Sequence, residues 1–182
     1  MAITDRIWSA YADARAMRYQ PGRLGLADAV MPRIDGTLGP TAVALQLLDE
    51  SDANTFWAAA VARPNVPLRG HVEAARWEIF SRIARLLGAR GLVLGDDAFD
   101  RAFVIKATEE GTARALLTLP TTNELLGLGA KYFAYDDGGE NPYGAVAMVY
   151  VPFKVHDFPA IDRCLAFVAG IAQTAPVSAP YR

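Results

Sequence analysis

The sequence predicts an α+β fold, an antiparallel sheet built of hairpins with helices packed on one face. Three features carry that expectation. Short segments alternate apolar and polar residues, and these segments come in pairs joined by polar turns. Apolar residues at three-or-four spacing fall between and after the pairs. The βαβα order, with continuous apolar runs buried on both sides of a parallel sheet, does not occur.

The first element is a helix over Thr4 to Met17. Ile7, Tyr11, Ala14 and Met17 form its stripe, Trp8 widens it, Thr4 or Asp5 caps it, and Pro21 and Gly22 stop it. A short strand or turn is expected near Arg33 to Gly36. From Thr41 to Leu48 the period falls to two, with Val43, Leu45 and Leu47 sharing a face. Asp49 to Asn54 is a polar turn and Thr55 to Ala62 the returning strand, which makes a hairpin. Leu68 to Arg76 supplies a third strand. Helical spacing resumes at Trp77, Phe80, Ala84 and Leu87, with Gly88 as the C-cap.

Asp100 to Ala107 reads as a strand with Phe103 and Ile105 on one face. Thr108 caps a short helix through Thr118 that turns Ala113, Leu116 and Leu117 inward. Pro120 breaks it, and Thr121 with Glu124 has the capping-box spacing for a second short helix over Thr122 to Leu128. Lys131 to Tyr135 and Ala145 to Phe153 are strands around a long Gly-rich loop. Asp157 caps a terminal helix whose stripe is Phe158, Ile161, Leu165, Val168 and Ala172. Residues 1–175 thus read as a single α+β domain, with the N-terminal helix within 1–20 and a flexible tail over 176–182.

Composition narrows the function classes. Of 182 residues, 52% are hydrophobic and 21% charged, which excludes a disordered chain. Eighteen basic residues against 20 acidic ones, with arginines scattered singly, give no footprint for nucleic acid. The longest apolar runs, Ala145 to Val151 and Cys164 to Ala172, fall well short of the ~18 residues a spanning helix needs. Charged residues interrupt the first 20 positions, so no secretory signal is expected and a cytoplasmic location is.

Few residues invite chemistry. His71 and His156 belong to no metal-binding or catalytic spacing, and they read as surface or capping residues. Cys164, the single cysteine, lies among apolar neighbours and reads as a buried, inert thiol. No serine occupies a nucleophile elbow and no glycine-rich phosphate loop occurs, so no catalytic residue, metal or cofactor is assigned. Two acidic groups are the candidate binding residues: Asp96, Asp97 and Asp100 after Gly95, and Asp136 and Asp137 at the Gly-rich loop. Carboxylates so paired can hold a hard cation or divide acid and base roles. Asp-Gly and Asn-Pro also form turns unaided, which is the simpler reading of both loops. The two readings separate on whether the groups converge. Trp57, Trp77, Tyr132, Phe133, Tyr135 and Tyr150 are expected to pack in the core.

The run Gly95-Asp96-Asp97-Ala98-Phe99-Asp100-Arg101-Ala102-Phe103-Val104-Ile105, followed by Ala113-Arg114-Ala115-Leu116-Leu117, resembles a segment of bacterial proteins of unknown function. Its form there is G-D-x-x-F-D-x-x-F-x-V/I and then A-x-x-L-L. The resemblance implies an α+β module in which a small helix, a hairpin and a terminal helix follow, and it brings no catalytic residue. Read from the residues, Gly95 supplies a turn, Asp96 caps N–H groups two or three positions on, and Phe99 anchors the turn.

The function these features favour is a non-enzymatic protein-interaction or self-assembly module, with a protein partner or a second copy bound at a sheet edge or the apolar terminal helix. The alternative is a small-ligand or divalent-cation-dependent enzyme using the acidic loops.

Overall fold

The protein is described by a computed structural model at residues 2–22, 30–50, 55–77, 91–139, 144–154 and 157–174. Its strands are β1 (Arg18–Gln20), β2 (Arg33–Leu38), β3 (Thr41–Glu50), β4 (Thr55–Ala62), β5 (His71–Arg76), β6 (Phe103–Ala107), β7 (Tyr132–Asp136) and β8 (Val146–Lys154). Its helices are α1 (Ala2–Ala14), α2 (Asp97–Ala102), α3 (Glu110–Leu116), α4 (Leu119–Gly127) and α5 (Phe158–Ala172). All eight strands join one sheet in the order β1-β2-β3-β4-β8-β7-β5-β6, and every neighbouring pair is antiparallel. The chain lays down β1 to β4 as a meander, skips two places to build β5 and β6, and returns with the β7–β8 hairpin to fill the gap.

Period-two alternation fixes which residues face the helices. Val43, Leu45 and Leu47 on β3 lie opposite Ala62, Ala60 and Ala58 on β4, and these lie opposite Ala147, Val149 and Val151 on β8. Phe133 and Tyr135 on β7, Val72 and Ala74 on β5, and Ile105 on β6 continue the same face. All of these side chains are buried in one apolar cluster with Trp8 and Tyr11 of α1, Phe99 of α2, Ala113 and Leu116 of α3, Leu125 of α4 and the inner face of α5. An α+β fold with its described helices on one side of the sheet is therefore the observed architecture.

Helix α5 crosses β2, β3, β4 and β8. It begins where Asp157 accepts from the Ala160 N–H at 3.2 Å, and it buries Ile161, Cys164, Leu165, Val168, Ala169, Ile171 and Ala172. At roughly 1.5–3 kcal/mol for each large apolar side chain, this helix is a principal source of stability. Its apolar stripe is consumed by the core and is not available as the interaction surface the sequence suggested. Edge-on ring contacts join α1 to the same layer, Trp8 against Phe56 at 4.9 Å and Tyr11 against Phe158 at 5.1 Å between centroids.

Several expected boundaries move. Helix α1 stops at Ala14, and Ala16 takes a left-handed φ of 52°. Residues 18–20 then form β1 on the edge of the sheet rather than continuing a helix. The buried stripe of α1 is Trp8, Tyr11 and Ala12, whereas Ala14 is exposed. Residues 97–102 are helical, so the strand expected from Asp100 starts only at Phe103; Asp96 caps this turn by accepting from Ala98 and Phe99 N–H groups. Thr108 caps no helix: its hydroxyl accepts from the His71 N–H at 2.8 Å. Pro120 lies in the first turn of α4 and starts that helix instead of ending the previous one, since a first-turn N–H has no helical acceptor to lose. The helix expected beyond Trp77, the turn over 51–54, His156 and the tail over 176–182 lie outside the described residues.

Candidate functional site

The two acidic groups stand at opposite ends of the β5–β6 pair. Helix α2 carries Asp97 and Asp100 into β6 at Phe103, which lies opposite Arg76. Asp136 lies at the other end of β5, opposite His71, and Asp137 follows it. About 15 Å of strand, at ~3.3 Å per residue, separates the two ends. No convergent carboxylate pocket results. A hollow of about 540 Å³ beside Asp96 and Asp97 is lined also by Leu94, Leu117, Leu119 and Thr122, and includes no residue of the second group.

Each carboxylate has local work except Asp97, which is exposed. Asp96 accepts from the Thr122 hydroxyl at 2.7 Å and from two helix N–H groups, and the Thr122 bond foremost holds its carboxyl below the usual range. Asp100 accepts from the N–H groups of Leu94 and Gly95 at 3.1 and 2.9 Å, closing the turn before α2. Asp137 bridges two segments, accepting from Gly70 at 2.7 Å and Gly139 at 2.9 Å, and the Gly70 bond foremost lowers its carboxyl. Asp136 accepts from Gly138 at 2.7 Å. Gly138 has a φ of +84°, and a Cβ there would meet the backbone of Gly144 and Ala145. Among the described residues no group of three or more His, Cys, Asp or Glu side chains is placed to hold a metal ion. Cys164 is fully buried, and burial pushes its thiol well up, away from a reactive thiolate.

What the fold does assemble is on the face of the sheet that no described helix covers. Trp57, Ala59 and Val61 of β4 lie there beside Pro152, Tyr150 and Met148 of β8, because these residues are register partners and alternate with the core. Tyr132 of β7 lies opposite Tyr150, their rings 5.2 Å apart. Tyr132 also covers Ala75 and Val104. A register irregularity between Leu47 and Asp49 leaves Leu48 38% exposed on the edge of this surface. With Trp57, Tyr150 and Lys131 it lines a shallow, wholly apolar depression of about 310 Å³. Of the aromatic residues expected in the core, Phe133 and Tyr135 are there; Trp57, Tyr132 and Tyr150 are on this open face, and Trp77 is half exposed.

Polar residues border the apolar centre. On one side His71 bridges two carboxylates, with Nδ1 at 3.2 Å from Asp136 and Nε2 at 3.2 Å from Glu73. Glu73 in turn accepts from the Tyr132 hydroxyl at 2.8 Å; desolvation, then that bond, pushes the phenol well above its ordinary value. On the other side Asp35 accepts from Arg33 at 2.7 Å, with Arg18 at 4.0 Å and Arg63 near by on the same surface. Neither Glu73 nor Tyr132 is marked in the sequence as a site residue. Alternation alone places them on a common face only once the partners of β5 and β7 are known.

No family model and no curated protein matches the sequence. The fold is similar to that of the mycobacterial trehalose monomycolate transport factor A, TtfA, with a TM-score of 0.58 and 10% identity over 95% of this chain and 96% of that one. At that identity the likeness concerns the fold alone: nearly the whole of both chains shares the α+β architecture described above.

Proposed function

We propose that the protein is a non-enzymatic interaction module that binds a protein through the face of its sheet that no described helix covers. One observation carries this reading: Leu48, Trp57, Met148, Tyr150 and Tyr132 form a contiguous, partly exposed apolar surface at the middle of the sheet, bordered by charge. A protein interface is built in this way, with aromatic and Met side chains at the centre and polar residues at the rim. Trp and Tyr are also the residues that dominate such contacts. The similar fold belongs to a protein described as a transport factor, which accords with a binding role. A cation-dependent site on Asp96, Asp97, Asp100, Asp136 and Asp137 lacks the convergence it requires, and all of these but Asp97 serve as caps and turn closures.

The test is a photo-reactive phenylalanine analogue placed at position 150 of the full chain in its native cells, with position 101 on the helical side as the control. A protein adduct at 150 and not at 101, lost in the Leu48→Glu background, is the expected result. Equal labelling at both positions, or adducts at neither, overturns the reading.

A further inference from the structure

Building on that reading, we infer that the partner segment on the open face is proline-rich and extended. It sets a proline against Trp57 and Tyr150 and an acidic residue about four to six positions away. Complementarity of hydrogen-bonding groups and of charge supports this occupant. Trp57 lies opposite Pro152 and Ala59 opposite Tyr150, so the two rings are diagonal neighbours on β4 and β8. With Leu48 and Lys131 they line the depression of about 310 Å³, and no polar atom faces it. A peptide in ordinary β conformation would bury main-chain N–H groups there without an acceptor. Proline brings no N–H, and a polyproline II segment needs no internal hydrogen bonds. Its carbonyls need donors instead. Trp57 and Tyr150 are half-buried, and neither the indole N–H nor the hydroxyl donates to a described residue. Aromatic-lined grooves take polyproline II segments in this way.

A low track leads from the depression across the sheet. Ala59 of β4, then Ala44 and Ala42 of β3, carry only methyl groups on the open face. The track ends in a hollow of about 270 Å³ lined by Arg33 and Asp35 of β2 and by Val61 and Arg63. Asp35 is engaged at both oxygens, by Arg33 Nε at 2.7 Å and Gln20 Nε2 at 2.7 Å. The Arg63 guanidinium has no partner among the described residues. With Arg18 4.0 Å from Asp35, arginine outweighs carboxylate at this end. Lys131, 6.0 Å from the Trp57 ring centroid, adds a positive charge at the other end. An acidic segment matches that balance. The carboxylates Glu73 and Asp136 stand apart on β5 and β7, engaged by His71 and Tyr132. Arg63 lies four residues of strand beyond the level of Tyr150 and six beyond Trp57. That is about 13–20 Å, which polyproline II at ~3.1 Å per residue covers in about four to six positions.

Selection of a display library of random peptides on the full chain tests this, with Tyr150→Arg and Leu48→Glu as counter-targets of unchanged melting temperature. Peptides retained by the wild type alone are expected to share a proline and, at the stated spacing, Asp or Glu. By fluorescence anisotropy, a selected peptide should bind at least ~10-fold more weakly once its proline becomes alanine. Arg63→Glu should weaken it about 5-fold, and lysine in place of the peptide's acidic residue should restore it. Retained peptides without proline, or equally tight with alanine, overturn the inference and leave the interaction module standing. Indifference to Arg63→Glu overturns it as well. So does a pool that does not distinguish the wild type from the counter-targets; if position 150 then yields no protein adduct, both readings fall.

Discussion

Asp162 joins the first and last helices at a single side chain. It accepts from the Tyr11 hydroxyl at 2.7 Å and from Arg15 Nε at 2.5 Å, and Arg15 also stacks over the Tyr11 ring, 4.1 Å from its centroid. The Arg15 bond foremost holds the Asp162 carboxyl below its usual range. A carboxyl depressed in the folded state stabilises above its unfolded value of about 4 and loses that contribution as pH falls through the folded value. Asp162→Asn should therefore flatten the decline of the urea midpoint on acidification below about pH 4, a slope read directly from denaturation curves. Asp162→Ala should cost about 1–3 kcal/mol at neutral pH, because the Tyr11 hydroxyl, on a fully buried residue, loses its acceptor. At Asp96 the expected result is a lower melting temperature for Asp96→Ala, with Thr122 deprived of its acceptor and α2 of its cap, but sedimentation unchanged. A change in assembly on removing this carboxylate would return the acidic turn to consideration as a binding site.

At the scale of elements, burial decides which residues matter. Leu165 on α5 is 1% exposed and Leu119 on α4 is 63% exposed. Leu165→Ala should cost about 2–5 kcal/mol and Leu119→Ala no more than ~0.5, measured by denaturant unfolding. Strands β3 and β4 were legible in the sequence because each has a long run of strict alternation and a polar turn between them. Helix α2 was not. Phe99 and Phe103 are four apart and stack at 4.5 Å, but the alternation of Phe103 and Ile105 extends the strand pattern backwards over the same residues. The cap at Asp96 decides for a helix up to Ala102. Strand β1 is three residues long and carries no period of its own; pairing with β2 alone makes it a strand.

At the scale of the molecule, the sheet has a middle and two edges, and local stability follows from that order. Strand β4 is paired on both sides along nearly its whole length and β8 on both sides over residues 147–150, and both lie beneath α5. Their amides should be the slowest to exchange, and those of β1 the fastest among the strands, in a hydrogen-exchange series.

The sequence by itself determined the alternating and helical periods, and with them the α+β class, most strand positions, the caps at Asp96 and Asp157 and the burial of Cys164. These depend on neighbours within a few residues, where period and capping chemistry act. Tertiary structure alone decided that β7 and β8 enter between β4 and β5, because pairing partners far apart in the chain leave no local trace. That one placement joins Trp57 to Tyr150, Tyr150 to Tyr132 and His71 to Asp136 across the open face. It also holds the two acidic groups at opposite ends of the β5–β6 pair, so the candidate site moved from the carboxylate turns to the middle of the sheet.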